Sequence, residues 1–194
     1  MHDIRGYIFD CDGTLTDSMP LHYVAWHKTM QRHGIHFSED RFYELAGVPT
    51  DKIIQLLASE QSVQIDPALA SEEKEQFFLE SIEQLSPIEP VVAKVKSVVN
   101  HYPVGVASGG TREAVLAQLR QINLHNVFPV IVTAEDTKRH KPEPDVFLEA
   151  ASRMQVEPSV CCVYEDSDLG IQAAEAAGMQ WVDVRTFHSP RRIT

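Results

Sequence analysis

The segment YIFDCDGT, residues 7–14, contains the first apolar run and the first acidic pair of this 194-residue chain. A short run with little polar alternation is typical of a strand buried on both faces of a parallel sheet. Asp10 and Asp12 follow it and point the same way, because they stand one residue apart. Two ionised carboxylates beside an apolar sheet need a cation, and Mg²⁺ is the natural partner. The alternative is an ordinary Asp-Gly turn that caps a helix.

Four more apolar runs of strand length follow, at residues 104–107, 128–132, 160–164 and 181–184. Amphipathic helical patterns separate these four runs, so the sequence predicts an α/β fold with an open parallel sheet of five main strands and right-handed crossovers. Residues 18–86 contain no strand run and are helical in pattern. We therefore expect a core domain of residues 1–17 and 87–194, interrupted by a helical insert of residues 18–86.

Composition excludes several classes of function. The chain has 17 Lys and Arg against 28 Asp and Glu, a net charge of −11, which is the wrong sign for gripping nucleic acid or an anionic membrane. We find no signal-peptide core and no apolar stretch of spanning length, so a cytoplasmic protein is expected. Cys11, Cys161 and Cys162 are odd in number, which predicts buried free thiols. The helix patterns leave no exposed apolar stripe, so we expect a monomer.

The second polar cluster, SGGT at residues 108–111, follows the second predicted strand. Gly109 and Gly110 let backbone N–H groups turn toward one point, and Ser108 adds a hydroxyl donor just before a helix begins. That arrangement suits a phosphate group. The alternative is a simple helix cap, a role that we expect for Thr111 under either interpretation.

The third cluster, KPEPD at residues 141–145, precedes a helix whose start is marked by proline. Lys141 stands where its ammonium group can reach over the sheet edge. The alternative is a solvated basic patch, which is what we expect of Lys138 and Arg139.

The fourth cluster, Glu165 and Asp166, follows the fourth predicted strand and supplies further oxygen ligands for Mg²⁺. Alone it equally fits a set of helix caps, the role expected of Asp168. Because open α/β folds bind ligands at the carboxyl edge of the sheet, the clusters together predict one site there.

In this order, the clusters resemble the four motifs of the haloacid dehalogenase (HAD) superfamily of phosphohydrolases, over essentially the whole chain. The helical insert resembles the family's small α-helical cap. Residues 17–26 and 165–174 resemble the β-phosphoglucomutase-like branch, and LAGVPT at residues 45–50 resembles bacterial fructose-1-phosphate phosphatases.

The resemblance implies that Asp10 forms an aspartyl-phosphate and that Asp12 is the general acid and then the base. Ser108 and Lys141 would hold the phosphate oxygens. Mg²⁺ would be held by Asp10, the main-chain carbonyl of Asp12 and Asp166, with Glu165 either a direct ligand or one step removed.

For the substrate, the resemblance implies binding by both domains. From the helical insert it points to His22 and Lys74, which match a cap histidine and a cap lysine of the mutases, and to the loop residues Gly47 and Thr50. From the core it points to Thr14, Gly109 and Gly110. The mutases carry an arginine for the distal phosphate where this chain has Thr50, which favours hydrolysis of a small sugar phosphate such as fructose 1-phosphate.

Two alternatives remain open at this point. The first is a β-phosphoglucomutase that interconverts β-glucose 1-phosphate and glucose 6-phosphate through the same intermediate. The second is a receiver-like phospho-acceptor module, which also groups acids, a hydroxyl and a lysine at a sheet edge. A receiver needs neither an acid at Asp12 nor a cap of about 70 residues that excludes water.

Overall fold

A computed structural model describes residues 3–193, so residues 1, 2 and 194 of the expected core domain lie outside the described part. Five parallel strands form one sheet in the order β3-β2-β1-β4-β5. Their bounds are Gly6–Phe9 (β1), Val104–Ala107 (β2), Val130–Val132 (β3), Cys161–Glu165 (β4) and Gln180–Asp183 (β5). The predicted α/β fold is confirmed, because every strand is parallel to its neighbours.

Eight α-helices accompany these strands within residues 3–193. Four lie between β1 and β2 in the helical insert: Met19–Arg32 (α1), Glu39–Glu44 (α2), Thr50–Gln61 (α3) and Pro67–Glu80 (α4). The other four are Glu89–Val98 (α5), Arg112–Gln121 (α6), Asp145–Met154 (α7) and Asp168–Ala176 (α8). No helix within these residues combines the length and the apolar character required to cross a membrane.

The sheet is covered on both faces. Phe9 of β1 packs on one face with valines of α5 and with Val115 and Leu119 of α6. Ile8, its neighbour in β1, packs on the other face with Phe147 of α7 and alanines of α8. Alternate residues of a strand point to opposite faces, so burial on both sides explains why these strands are continuously apolar.

The helical insert has an apolar cluster of its own, built around Trp26, Phe37 and Ile54. A smaller cluster joins the insert to the core, since Phe77 and Phe78 of α4 pack with Ala114 of α6. The two chain segments that enter and leave the insert lie side by side: Thr16 forms a β-bridge with Pro87, and the Asp17 N–H donates to the Ser86 carbonyl.

Some element boundaries differ from prediction. The third strand begins at Val130 and not at residue 128, because Pro129 has no N–H to donate to a sheet. Ser167, not Asp168, caps α8 by accepting from the Gly170 N–H, while Asp168 pairs with Arg185. Thr111 caps α6 as predicted, and the three cysteines are free and buried as predicted.

Candidate active site

The predicted clusters converge at the carboxyl edge of the sheet. Asp10 directly follows β1, and its backbone N–H still donates to Tyr164 of β4. Ser108 directly follows β2, and its N–H donates to Val132 at the end of β3. The parallel register therefore carries the polar residues after β1, β2 and β4 to the same place.

Lys141 links two of the acidic clusters. Its Nζ lies 2.6 Å from Asp10 Oδ1 and 2.6 Å from Glu165 Oε1. All three side chains are at least nine-tenths buried. The second oxygen of Glu165 is also occupied, because Oε2 accepts from the N–H and the hydroxyl of Ser167 at 2.7 and 2.9 Å. Glu165 therefore holds both Lys141 and the start of α8.

Asp12 is anchored from the helical insert. Its Oδ1 accepts from Ser18 Oγ and lies 2.7 Å from His22 Nε2, the same distance as from the serine. The His22 ring stacks on Phe78 of α4, with centroids 3.8 Å apart. The other oxygen, Oδ2, faces the loop after β2, since a Cβ built on Gly110 would lie 3.3 Å from it.

The loop after β2 forms a compact cradle. A Cβ on Gly110 would also lie 3.3 Å from Ser108 Oγ, and the Gly110 N–H donates to that hydroxyl at 3.0 Å. Ser108 is buried, while Gly109 has open space around it. The hydroxyl, the turning backbone and the start of α6 suit a phosphate group, as the sequence predicts.

The turn after β1 brings Asp166 close to the backbone. Gly13 has φ +74°, and a Cβ there would lie 2.1 Å from Asp166 Oδ2. Only glycine both adopts this conformation readily and leaves room for the carboxylate. Asp10, Glu165 and Asp166 each offer an oxygen, all within 4.8 Å of one another, which is a spacing that one metal ion can span.

Burial and charge set the protonation of these groups. Burial raises the pKa of Asp10 to about 7, against the opposing effect of Lys141. Burial and the neighbouring carboxylates Glu165 and Asp10 raise the pKa of Asp166. Burial disfavours charge on Lys141 as well, but Asp10 and Glu165 outweigh it and raise the pKa of that lysine. The cluster holds more acid than Lys141 can neutralise, so it suits a divalent cation.

A cavity of about 400 Å³ opens over this edge, between the sheet and the helical insert. It is lined by most of the predicted site residues: Asp10, Asp12, His22, Gly47, Thr50, Lys74, Ser108, Gly109, Gly110, Lys141, Glu165 and Asp166. Thr14 is the exception. It is fully buried and its hydroxyl donates to Asp166 at 3.4 Å, so the structure places it against the acidic cluster and away from the cavity lining.

A second cavity, of about 480 Å³, lies beyond Asp166, between Tyr43 of α2 and the C-terminal residues Arg185 and His188. Neither Asp10 nor Ser108 lines it. The first cavity is therefore the one that brings the predicted clusters together.

Sequence reasoning missed several residues of the site. Ser18 precedes α1 in a normal capping position, yet its hydroxyl makes no cap and binds Asp12. Phe78 and Ser167 support His22 and Glu165, and Glu75 pairs with Lys74 in the cavity lining. A polar residue at a helix start is a usable signal for Ser18 and Ser167, but nothing local marks Phe78 or Glu75.

Other predictions concern the surface. Lys138 and Arg139 are exposed as predicted, with Arg139 paired to Glu143 and Asp145. His27 and His36 are exposed, whereas His33 is partly buried, with Nε2 2.8 Å from Glu73 of α4.

Comparison with known proteins identifies the family of this chain. The haloacid dehalogenase-like hydrolase family matches residues 7–184. The fructose-1-phosphate phosphatase YqaB of Escherichia coli is 41% identical over 184 residues, covering 93% of this chain and 96% of that protein. A phosphorylated carbohydrates phosphatase of Thermotoga maritima is 29% identical, covering 91% and 83%.

Solved structures agree with the sequence comparison. The crystal structure of a β-phosphoglucomutase from Clostridium difficile superposes with a TM-score of 0.81 at 27% identity, covering 93% of this chain and 84% of that one. The predicted resemblance is confirmed, and the chain is an enzyme that belongs to the haloacid dehalogenase-like hydrolases.

Proposed function

We propose that this enzyme is a Mg²⁺-dependent phosphatase of small sugar phosphates, with fructose 1-phosphate the first substrate to test. One observation carries the proposal: Lys141 contacts Asp10, while Asp12 Oδ2 and Ser108 Oγ would each lie 3.3 Å from a Cβ built on Gly110. A carboxylate nucleophile, a second carboxylate and a phosphate cradle are thus adjacent. The similarity to a fructose-1-phosphate phosphatase supports the choice of substrate.

The chemistry follows from these positions. The Asp10 carboxylate attacks phosphorus, the ester P–O bond breaks, and Asp12 gives a proton to the departing oxygen. Asp12 then takes a proton from water, which attacks the aspartyl-phosphate and restores Asp10 as phosphate leaves. Ser108, the backbone of Gly109 and Gly110, and Lys141 hold the phosphate oxygens throughout.

Mg²⁺ fits the acidic cluster. Asp10 and Asp166 have carboxylate oxygens within reach of one ion, and the main-chain carbonyl of Asp12 completes the protein ligands that we propose. Both oxygens of Glu165 already accept hydrogen bonds, from Lys141 and from Ser167. We therefore propose that Glu165 orients these two residues and is not a direct metal ligand. The bound cation would supply charge neutralisation, so that a phosphate dianion can approach Asp10.

We assign residues 18–86 to a cap domain that closes over the cavity, with the core formed by residues 1–17 and 87–194. The two linkers that enter and leave the insert are paired with each other at Thr16 and Pro87. Ser18 and His22 reach Asp12 from the insert, so closure and the orientation of Asp12 are coupled. We further propose a monomer working in the cytoplasm, where buried thiols stay reduced.

The test is one reaction series with Mg²⁺ and fructose 1-phosphate, β-glucose 1-phosphate and a nucleotide monophosphate, each repeated with a chelator. Free phosphate and glucose 6-phosphate are followed together. We expect phosphate release that is fastest with a sugar phosphate and stops with chelator. Glucose 6-phosphate that appears without matching phosphate would instead show a mutase. A stable phosphoenzyme without turnover would show a receiver-like module.

A further inference from the structure

The wall of the cavity that faces the phosphate cradle belongs to the helical insert. Thr50 and Asp51 come from the start of α3, and Ser71, Lys74 and Glu75 come from α4. A substrate whose phosphate lies at Ser108 presents its other end to this wall. The volume of about 400 Å³ is in the usual range for a small metabolite.

The lysine of this wall is paired with a carboxylate before any substrate arrives. Lys74 is buried, and its Nζ lies 3.0 Å from Glu75 Oε1. The same ammonium group lies close enough to Asp12 to help lower the pKa of that carboxyl. No arginine lines the cavity among the residues that the structure describes. The wall therefore offers no unpaired cation for a second phosphate.

Glu75 has one oxygen left over. Its Oε2 is buried and has no hydrogen-bond partner, although the residue lines the cavity. A buried carboxylate oxygen without a donor is unfavourable, so the site gains most from a ligand that brings an O–H group. Sugar hydroxyls are such donors, whereas a second phosphate dianion is repelled by Glu75 and by Asp51, which lines the same cavity.

We propose that Glu75 is a specificity-determining residue, whose Oε2 accepts from a hydroxyl of the substrate and whose charge excludes a second anionic group. The inference rests on the proposed phosphatase activity and narrows its range of substrates. The substrates are monophosphates of neutral polyhydroxylated compounds, and sugar bisphosphates are rejected.

Three esters distinguish the parts of this proposal: fructose 1-phosphate, fructose 1,6-bisphosphate and p-nitrophenyl phosphate, which has no hydroxyl on its leaving group. The variants are Glu75→Ala and Glu75→Gln. Glu72→Ala is the matched control, because Glu72 is an exposed carboxylate on the same helix. Unfolding midpoints of all variants verify that each is folded.

For the wild type, we expect kcat/KM for the monophosphate to exceed that for the bisphosphate by at least about 10-fold. Glu75→Ala should lower kcat/KM for fructose 1-phosphate by about 10- to 100-fold more than it lowers kcat/KM for p-nitrophenyl phosphate, since the loss of the Lys74 partner is common to both esters. Glu75→Gln keeps a hydrogen-bond acceptor but removes the charge. It should therefore retain activity on the monophosphate and gain activity on the bisphosphate. Glu72→Ala should change none of these ratios.

Three results would overturn the role of Glu75 while leaving the phosphatase intact. They are a parallel loss on all three esters in Glu75→Ala, unchanged selectivity in both variants, and equal use of mono- and bisphosphate by the wild type. If the wild type hydrolyses none of the three esters, the proposed function itself fails, and the inference falls with it.

Discussion

Asp12 uses a single carboxylate oxygen for both of its side-chain hydrogen bonds. Burial raises the pKa of this group, but the charge and hydrogen bond of His22 and the hydroxyl of Ser18 outweigh burial and lower it. Asp12 is therefore ionised before substrate binds, as a base for water must be. A bound phosphate dianion disfavours a second negative charge nearby, so substrate binding shifts Asp12 toward its acid form.

The Asp12→Asn variant distinguishes the role of Asp12 as general acid from its role as general base. We expect kcat for fructose 1-phosphate to fall by about 10²- to 10⁴-fold, because neither proton transfer is assisted. With p-nitrophenyl phosphate the leaving group needs no proton, so the first step should survive and the phosphoenzyme should accumulate. Rapid-quench kinetics would show a burst of p-nitrophenol close to one equivalent. Slow turnover without any burst would contradict the assignment.

Residues at strand ends were accessible to sequence reasoning, because parallel strands carry their carboxyl ends to one edge. That argument alone brings Asp10, Ser108 and Glu165 together, and the structure shows them together. Thr14, expected among the substrate-binding residues, lies outside the cavity lining, since sequence does not tell which way a turn residue faces. Glu75 was missed for the same reason, because the facing of a helix residue depends on tertiary packing.

Gly13, in the turn after β1, and Gly34, which follows α1, form a matched pair for testing the effect of a side chain at a glycine. Gly13 and Gly34 have nearly the same φ, +74° and +72°, but a Cβ meets Asp166 at Gly13 and nothing within 4 Å at Gly34. Both alanine variants should lose about 1 kcal/mol or more of stability from the left-handed conformation. Only Gly13→Ala should raise the Mg²⁺ concentration for half-maximal activity, by at least about 10-fold. Equal behaviour of the two variants would contradict the proposed role of Asp166.

The short 3₁₀ turn after β3, residues Ala134–Asp136, is held by one carboxylate. Asp136 accepts from the N–H and the hydroxyl of Thr133, and it pairs with Arg112 and Arg153. Burial raises its pKa, but the hydrogen bonds from Thr133 and Arg153 and the charge of Arg112 outweigh burial and lower it to about 2.

A lowered pKa makes the contribution of Asp136 dependent on pH. The unfolded value is about 4, so the stabilisation is complete above that pH and is lost as pH falls toward 2. Since the arginine partners are partly exposed, we expect Asp136→Asn to lower the free energy of unfolding by about 1–2 kcal/mol at pH 7. Urea unfolding at pH 3 should show about half of that difference. A difference that is the same at both pH values would refute the ionic role.

Elements were predictable where their apolar pattern is distinct. The strand β2 begins and ends at the residues, 104 and 107, that its apolar run predicts. Helix α2 was not predicted, because six residues with one buried aromatic, Phe42, carry too little periodicity. Helix α5 is not among the predicted elements, although Pro90 in its first turn is a residue that commonly starts a helix.

At the scale of the whole molecule, an acidic chain with charge −11 binds an anion through a local arrangement of groups. Asp10, Ser108 and Lys141 line the cavity from the core, and His22 and Lys74 line it from the insert. The five parallel strands and the helices inserted after the first of them follow from the sequence. The contacts of the C-terminal segment with the insert do not, because a segment without periodicity carries no signal for them: Arg192 pairs with Asp40, and the Ile193 N–H donates to Glu39.

The most direct test of the central claim is phosphate release from fructose 1-phosphate by the Asp10→Asn variant, measured beside the wild type in Mg²⁺. The substitution keeps the size of the side chain and removes the nucleophile. We predict that kcat falls by at least about 10³-fold in a protein that remains folded. Turnover close to that of the wild type would contradict an aspartyl-phosphate on Asp10, and with it the proposed mechanism.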